Sequence, residues 1–350
     1  MLLEGLHIPL TTPFHPDGRL NLHKLAANVV RYSKSPAAGI LVLGPSGEPT
    51  LLTGDETSEV LRTAAQAAAP DKVLIAGISR DSVRVTLSLA ELAAELLYDA
   101  VLIGAPSILA PEVNRRELIL YFQTIADCSP LPVVLFSGNA RRIPIDAAVE
   151  LAAHPRIIGL LDAAALPAEI EAILRRTAAI KREVTVTPVF AAVTARMKAA
   201  ASHASASFVS ADSLFAKSSS DATAVAGAQP TPPLRTRTKS VGFQVLTGNT
   251  NSILEAHRAG AVGAAPDFAA AAPQACYEVL AAWKDDDQPL AEEKQTRLVD
   301  AARLAEESPG SLKFACDLNG YFGGLPRLPH LPPTGDRRAA LERLMQSLRN

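Results

Sequence analysis

A chain of 350 residues with 48% apolar side chains has enough interior for one large domain or two ordinary ones, and is too apolar for wholesale disorder. Its formal net charge of −2 argues against nucleic acid or an anionic membrane as partner, no apolar run reaches the length of a membrane span, and Met1–Gly5 lacks a basic-then-apolar leader. Cys128, Cys276 and Cys316 are odd in number and without CxxC spacing, so free thiols in a cytoplasmic protein are expected rather than a disulfide framework or a zinc site.

From residue 8 to about 180, short apolar runs alternate with amphipathic stretches. Ile8–Thr12, Gly39–Gly44, Val73–Gly77, Ala100–Gly104, Pro132–Phe136 and Ile157–Leu161 are rich in Val, Ile and Leu and end at Gly, Pro or polar residues. Runs of this kind suit parallel strands buried on both faces. Between them Leu22–Tyr32, Asp55–Ala69, Ser82–Leu97, Arg115–Asp127, Asp146–Ala153 and Pro167–Ala179 space their apolar residues as helices do. Phe243–Thr247 with Ser252–Ala259, then Ala261–Ala264 with the helix after it, supply a seventh and an eighth unit. Eight β–α units predict a (β/α)8 barrel over residues 1–268, followed by a C-terminal helical segment over 269–350 that includes Ala291–Glu306 and Asp336–Leu348.

The barrel is interrupted at about 185–240. This stretch is crowded with Ala, Ser and Thr, contains Ser218-Ser219-Ser220 and ends in Pro- and Arg-rich sequence. It offers only a short strand within Val184–Val193 and a short helix within Ala191–Ala201, and its composition predicts a disordered, low-complexity insertion. Lying between the sixth helix and the seventh strand, it should emerge at the face where strands begin, opposite the face that carries active sites in such barrels.

Several motifs recur in order along the chain. Pro9-Leu10-Thr11-Thr12-Pro13-Phe14 precedes Asp17-Gly18; Gly44-Pro45-Ser46-Gly47-Glu48 precedes Leu51, Leu52 and Glu56. Ile75-Ala76-Gly77, Pro132-Val133-Val134-Leu135, Ile157-Ile158-Gly159, Gln244-Val245-Leu246-Thr247-Gly248 and Gly323-Gly324-x-x-Arg327-x-Pro329 follow. Together they resemble the dihydrodipicolinate synthase / N-acetylneuraminate lyase family of class I aldolases, nearest in pattern to its 4-hydroxy-2-oxoglutarate aldolase branch. The resemblance implies a barrel that binds a 2-oxo acid, assembles as a homo-oligomer (dimer or tetramer) and needs neither metal nor cofactor.

It also exposes what this chain lacks. The family's Schiff-base lysine follows the strand motif by two residues, and here Leu161 stands there between Gly159 and Asp162. The proton-relay tyrosine is replaced by Phe136, and Gly104–Leu109 holds no second tyrosine. Pro45 removes a hydroxyl and a backbone N–H from the carboxylate-binding loop. An isobutyl group cannot condense with a carbonyl. Lys24, Lys34, Lys72 and Lys284 read as surface residues; Lys181 and Lys198 belong with the insertion, and Lys313 is expected to be structural.

The seven histidines are dispersed, so no metal site is expected. Arg141, five residues after Phe136, matches a family arginine that holds the substrate carboxylate, although Arg142 could point inward instead and Arg141 could pair with Asp146. The leading expectation is therefore a family member that is catalytically inactive or diverged, a pseudoenzyme with a small-carboxylate pocket. Thr11, Thr12, Ser46, Gly47, Glu48, Arg141 and Thr247 would line that pocket beside Leu161 and Phe136. The alternatives are an active lyase on a 2-oxo acid using an unrecognised residue, or a scaffold subunit for an active paralogue.

Overall fold

The computed structural model describes residues 1–109, 114–205 and 234–348. Eight parallel strands close into a barrel: β1 (Gly5–Pro9), β2 (Gly39–Val42), β3 (Val73–Gly77), β4 (Ala100–Gly104), β5 (Val133–Ser137), β6 (Ile157–Asp162), β9 (Gln244–Thr247) and β10 (Gly263–Ala264). Around the barrel their order is β1-β10-β9-β6-β5-β4-β3-β2. This is a (β/α)8 barrel. The outer ring comprises α1 (Leu22–Ser33), α2 (Gly54–Ala67), α3 (Val83–Glu95), α4 (Arg115–Cys128), α5 (Ile145–Ala152), α6 (Pro167–Arg176), α8 (Ile253–Arg258) and α9 (Pro273–Lys284). Helices α10 (Gln288–Ala305), α11 (Pro309–Leu318) and α12 (Gly335–Met345) follow as the C-terminal segment.

The first strand lies three residues earlier than its apolar run suggests. Gly5 and Leu6 pair with Gly263 and Ala264 of β10, while His7, Ile8 and Pro9 pair with Gly39, Ile40 and Leu41 of β2. The run Leu2–Leu10 is apolar enough to hide its start, so only the register with both neighbours fixes it.

Inside the barrel Leu41, Ile75, Leu102, Val134, Leu161, Leu246 and Ala265 pack as one buried cluster, the interior layer that fills such a barrel rather than leaving a pore. Close strand approach explains one motif glycine. A Cβ on Gly159 would stand 2.5 Å from the carbonyl oxygen of Gln244 on β9. That glycine serves the β6–β9 contact, two residue pairs below Leu161, the β6 residue that lines the cavity.

The expected structureless insertion is built at both flanks. β7 (Arg182–Val186) pairs antiparallel with β8 (Arg237–Val241), from Arg182↔Val241 to Val186↔Arg237. Val184 and Val186 alternate inward onto Val241 and Leu2, at the start of the stretch Val184–Val193 where the sequence offers a short strand. Helix α7 (Ala195–Ser205) follows. Its start is bound to the loops before β3 and β4: the N–H of Ala195 donates to Asp99 Oδ1 at 2.6 Å, and Arg196 donates to the Ala69 carbonyl at 3.3 Å. The segment thus lies across the face where strands begin, as its place in the chain requires. The rest of the low-complexity stretch, 206–233, lies outside the described residues.

Gly159→Ala should destabilise the fold by on the order of 1–3 kcal/mol, because β6 and β9 must separate to admit the methyl group. Urea unfolding of variant and wild type checks this; a loss below about 0.5 kcal/mol would mean that the strands adjust freely.

Candidate functional site

The Gly44–Glu48 loop leaves β2 as a single 3₁₀ turn, Pro45–Gly47. Glu48 follows with φ of 52°, a left-handed conformation uncommon for a residue with a Cβ. Buried partners hold it there. One carboxylate oxygen, Oε1, forms an ion pair with Lys313 Nζ, and Oε2 accepts the N–H of Arg327 at 3.0 Å. Lys313 also donates to the carbonyls of Thr12 and Leu325, at 2.8 and 3.0 Å, and stands 4.4 Å from the centre of the Phe14 ring. Burial pushes the Lys313 ammonium below its usual range, opposed by the Glu48 charge. Lys313 is structural, as the sequence suggests. Glu48, expected to hold substrate, is committed to it.

At the strands' C-terminal ends lies a cavity of 640 Å³, within the range of small-molecule sites. Leu41, Leu102, Phe136, Leu161 and Ala265 give it an apolar floor, and Arg80, Asp81, Ser107, Asn139, Arg141, Asp267 and His330 are among its polar lining. Of the seven expected site residues, Glu48 and Arg141 line it; Thr11, Thr12, Ser46, Gly47 and Thr247 do not. Thr11 and Thr12 are buried, and Thr12 donates its hydroxyl to the Gly47 carbonyl at 2.7 Å. Thr247 is buried too, and its oxygen caps the N–H of Asn249 at 3.0 Å. The Thr12 hydroxyl ties two loops together, and that of Thr247 closes a local turn.

Leu161 and Phe136 are register partners on β6 and β5, so the two positions that the sequence resemblance assigns to the family's amine and phenol meet on the floor. Leu161 is 4% exposed, packed in the interior layer. Among the described residues, none of those lining the cavity is a lysine.

The choice between the two arginines is resolved by their partners. Arg142 pairs with Asp162, at 3.2 Å, and with Glu169, while Asp146 pairs with Arg176 at 2.6 Å. Arg141 lines the cavity, and among the described residues its guanidinium forms no hydrogen bond or ion pair. Its charge contributes to holding the Asp81 carboxyl below the usual range, an effect led by the hydrogen bond from Ser107.

Two carboxyl groups escaped the sequence reading. Asp267, just beyond β10, lines the cavity and accepts the Ser46 hydroxyl. Behind it Glu306, at the end of α10, accepts the Thr250 hydroxyl and the N–H of Phe268, the latter at 2.9 Å. Burial, with the Asp267 charge adding to it, raises Glu306 to about 7; burial likewise raises Asp267. An acidic residue at the C-terminal end of a barrel strand is the signal that could have found Asp267. Among the described residues no group of three or more His, Cys, Asp or Glu side chains could hold a metal ion.

A closed parallel barrel with one cavity-bearing face and a C-terminal helical segment defines the class of protein. Comparison with known proteins names the family: the Dihydrodipicolinate synthetase family model matches residues 2–210, and the chain belongs to that family. It is 26% identical over 353 residues to a 4-hydroxy-tetrahydrodipicolinate synthase of Acidiphilium cryptum, covering 99% of each chain. It is also 33% identical over 164 residues to the L-threo-3-deoxy-hexylosonate aldolase of Hypocrea jecorina, covering 44% of this chain and 52% of that protein. Among solved structures, dihydrodipicolinate synthase DapA-2 from Bacillus anthracis superposes with a TM-score of 0.77 at 21% identity, over 100% of both chains. YagE from E. coli, solved in complex with pyruvate, superposes with a TM-score of 0.74 at 22% identity, over 99% of both.

The raised Glu306 carboxyl sets a pH-dependent stability term. Its folded pKa lies above the ordinary carboxylate value, so folding is favoured by its proton below that ordinary value, and the advantage is lost as pH rises through about 7. Glu306→Gln should therefore raise the melting temperature at pH 8 relative to wild type, and do so much less at pH 4.5. Equal shifts at both values would show that the carboxyl does not titrate in this window.

Proposed function

We propose that this family member has lost Schiff-base chemistry and keeps a pocket for a small carboxylate, a diverged protein or pseudoenzyme of the aldolase class. The observation that carries the reading is the cavity floor: Leu161 and Phe136 stand side by side there, and among the described residues no lysine lines the cavity. Without an amine, a 2-oxo acid cannot be converted to the iminium that serves these aldolases as electron sink. Without a phenol, the relay that shuttles protons to that centre is missing as well.

Arg141 is the group that would hold a carboxylate. It is a fixed positive charge with free donors at the rim of an apolar cavity, where a charge-assisted, bidentate contact is strongest. YagE, solved with pyruvate, supports a 2-oxo acid as the first ligand to test. The family likeness also supports assembly as a homo-oligomer, and the three free cysteines fit a cytoplasmic setting.

Pyruvate with borohydride should leave the intact mass unchanged; a stoichiometric adduct on any lysine overturns the reading. Pyruvate binding, followed by calorimetry, should weaken at least tenfold in Arg141→Ala. Leu161→Lys alone should not restore appreciable aldolase turnover, since the new amine would face Phe136 in an apolar layer that lowers its pKa. A single-variant rate typical of the family would reveal an unseen proton relay.

A further inference from the structure

Asp267 has one half of its carboxylate fixed and the other half free. Oδ1 accepts the hydroxyl of Ser46, while Oδ2 accepts no hydrogen bond from any described residue, and the side chain is half-buried in the cavity wall. Among the described residues no lysine or arginine is paired with it. A carboxyl held in this way, with a free oxygen on a ligand-sized cavity, is placed to meet a hydrogen-bonding group from outside the chain.

Its position relative to Arg141 sets the length of what could reach both. Arg141 follows β5 and Asp267 follows β10. Around the barrel β9 and β6 lie between those strands on one side, and four strands lie between them on the other. With neighbouring strands about 4.8 Å apart, the two strand ends stand on the order of 10 Å from each other across the mouth. A three-carbon acid such as pyruvate would engage one of the two groups and leave most of the 640 Å³ cavity empty.

We propose that Arg141 and Asp267 hold opposite ends of one ligand, so that the cavity selects a hydroxy-carboxylate long enough to place its carboxylate on Arg141 and its hydroxyl on Asp267. The inference rests on the carboxylate-pocket reading and deepens it by assigning Asp267 as a specificity-determining residue. A hydroxyl suits Asp267 better than an ammonium does. Burial favours the neutral carboxyl, against the hydrogen bond from Ser46. A neutral carboxyl can both donate to and accept from a hydroxyl, whereas an ammonium partner would require it to ionise at that buried site.

The test is calorimetric titration of the full chain with 5-hydroxypentanoate, its methyl-ended isostere hexanoate, 5-aminopentanoate and pyruvate. In the wild type 5-hydroxypentanoate should bind about three- to tenfold more tightly than hexanoate, the worth of one net hydrogen bond, and more tightly than 5-aminopentanoate. In Asp267→Ala the preference should fall below about twofold while hexanoate affinity is retained, and Arg141→Ala should weaken every ligand. The wild-type comparison stands whatever Asp267→Ala does to folding. Equal affinity for hydroxypentanoate and hexanoate, or a preference that survives in a folded Asp267→Ala, overturns the inference. Tightest binding of 5-aminopentanoate overturns the hydroxyl assignment. Arg141-dependent pyruvate binding without any preference among the longer acids sinks this inference and leaves the pocket reading intact. No binding of any carboxylate sinks both.

Discussion

The ammonium of Lys313 is the fixed point on which the cavity side of the molecule depends. An isolated charge at that depth would be strongly destabilising. Here Glu48 neutralises it and the Thr12 and Leu325 carbonyls complete its hydrogen bonding. These partners come from the segment after β1, the loop after β2 and the segment after α11, so one side chain ties the C-terminal helices to the barrel mouth. Arg327 adds a second tie, donating to Glu56 at 2.6 and 2.7 Å through two nitrogens. Buried pairs of this kind are no guarantee of net stability, but removing one partner leaves the other charge stranded, at a loss of about 3–5 kcal/mol. The left-handed Glu48 backbone is held by the same contacts. The loop that reads in sequence as a substrate loop thereby serves as a structural clamp as well, while Glu48 still lines the cavity.

With the clamp fixing one wall, the floor decides the chemistry. Leu161 extends the apolar interior layer upward to the cavity, where Leu41, Leu102 and Ala265 join it. Next to it Asp162 turns away to Arg142 and to the N–H of Ala164 at 3.0 Å. The polar groups are left on the rim, on different strands' loops. In the pocket as proposed, a ligand would be oriented by its ends and desolvated along its middle.

The barrel could be read from the sequence because continuous apolar runs and helical periodicity are local properties, and six of the strand runs coincide closely with strands. Local order failed where it depended on distant partners. The start of β1 is set by register with β10, and β7 and β8 recognise each other across some fifty residues. The candidate site divided in the same way. Arg141 and Leu161 could be placed by their spacing from neighbouring motifs, but spacing does not show which hydroxyls face inward. Thr12 and Thr247 are spent on loop contacts that only the folded chain reveals. Asp267 and Glu306 lie 39 residues apart in the chain, and the effect of the Asp267 charge on Glu306 arises only when α10 packs behind β10.

The β7–β8 ribbon has a consequence for how this barrel tolerates change. Val186 and Arg237 are register partners, so the chain leaves and re-enters the barrel at one place, beneath the strands and away from the cavity. For a segment closed between paired ends, doubling its length adds only about 0.6 kcal/mol of closure entropy. Apart from α7, whose start is anchored to the loops before β3 and β4, added length at this point therefore costs the fold little. The underside is a port where sequence can be gained, lost or replaced by a grafted domain while the barrel above keeps its shape.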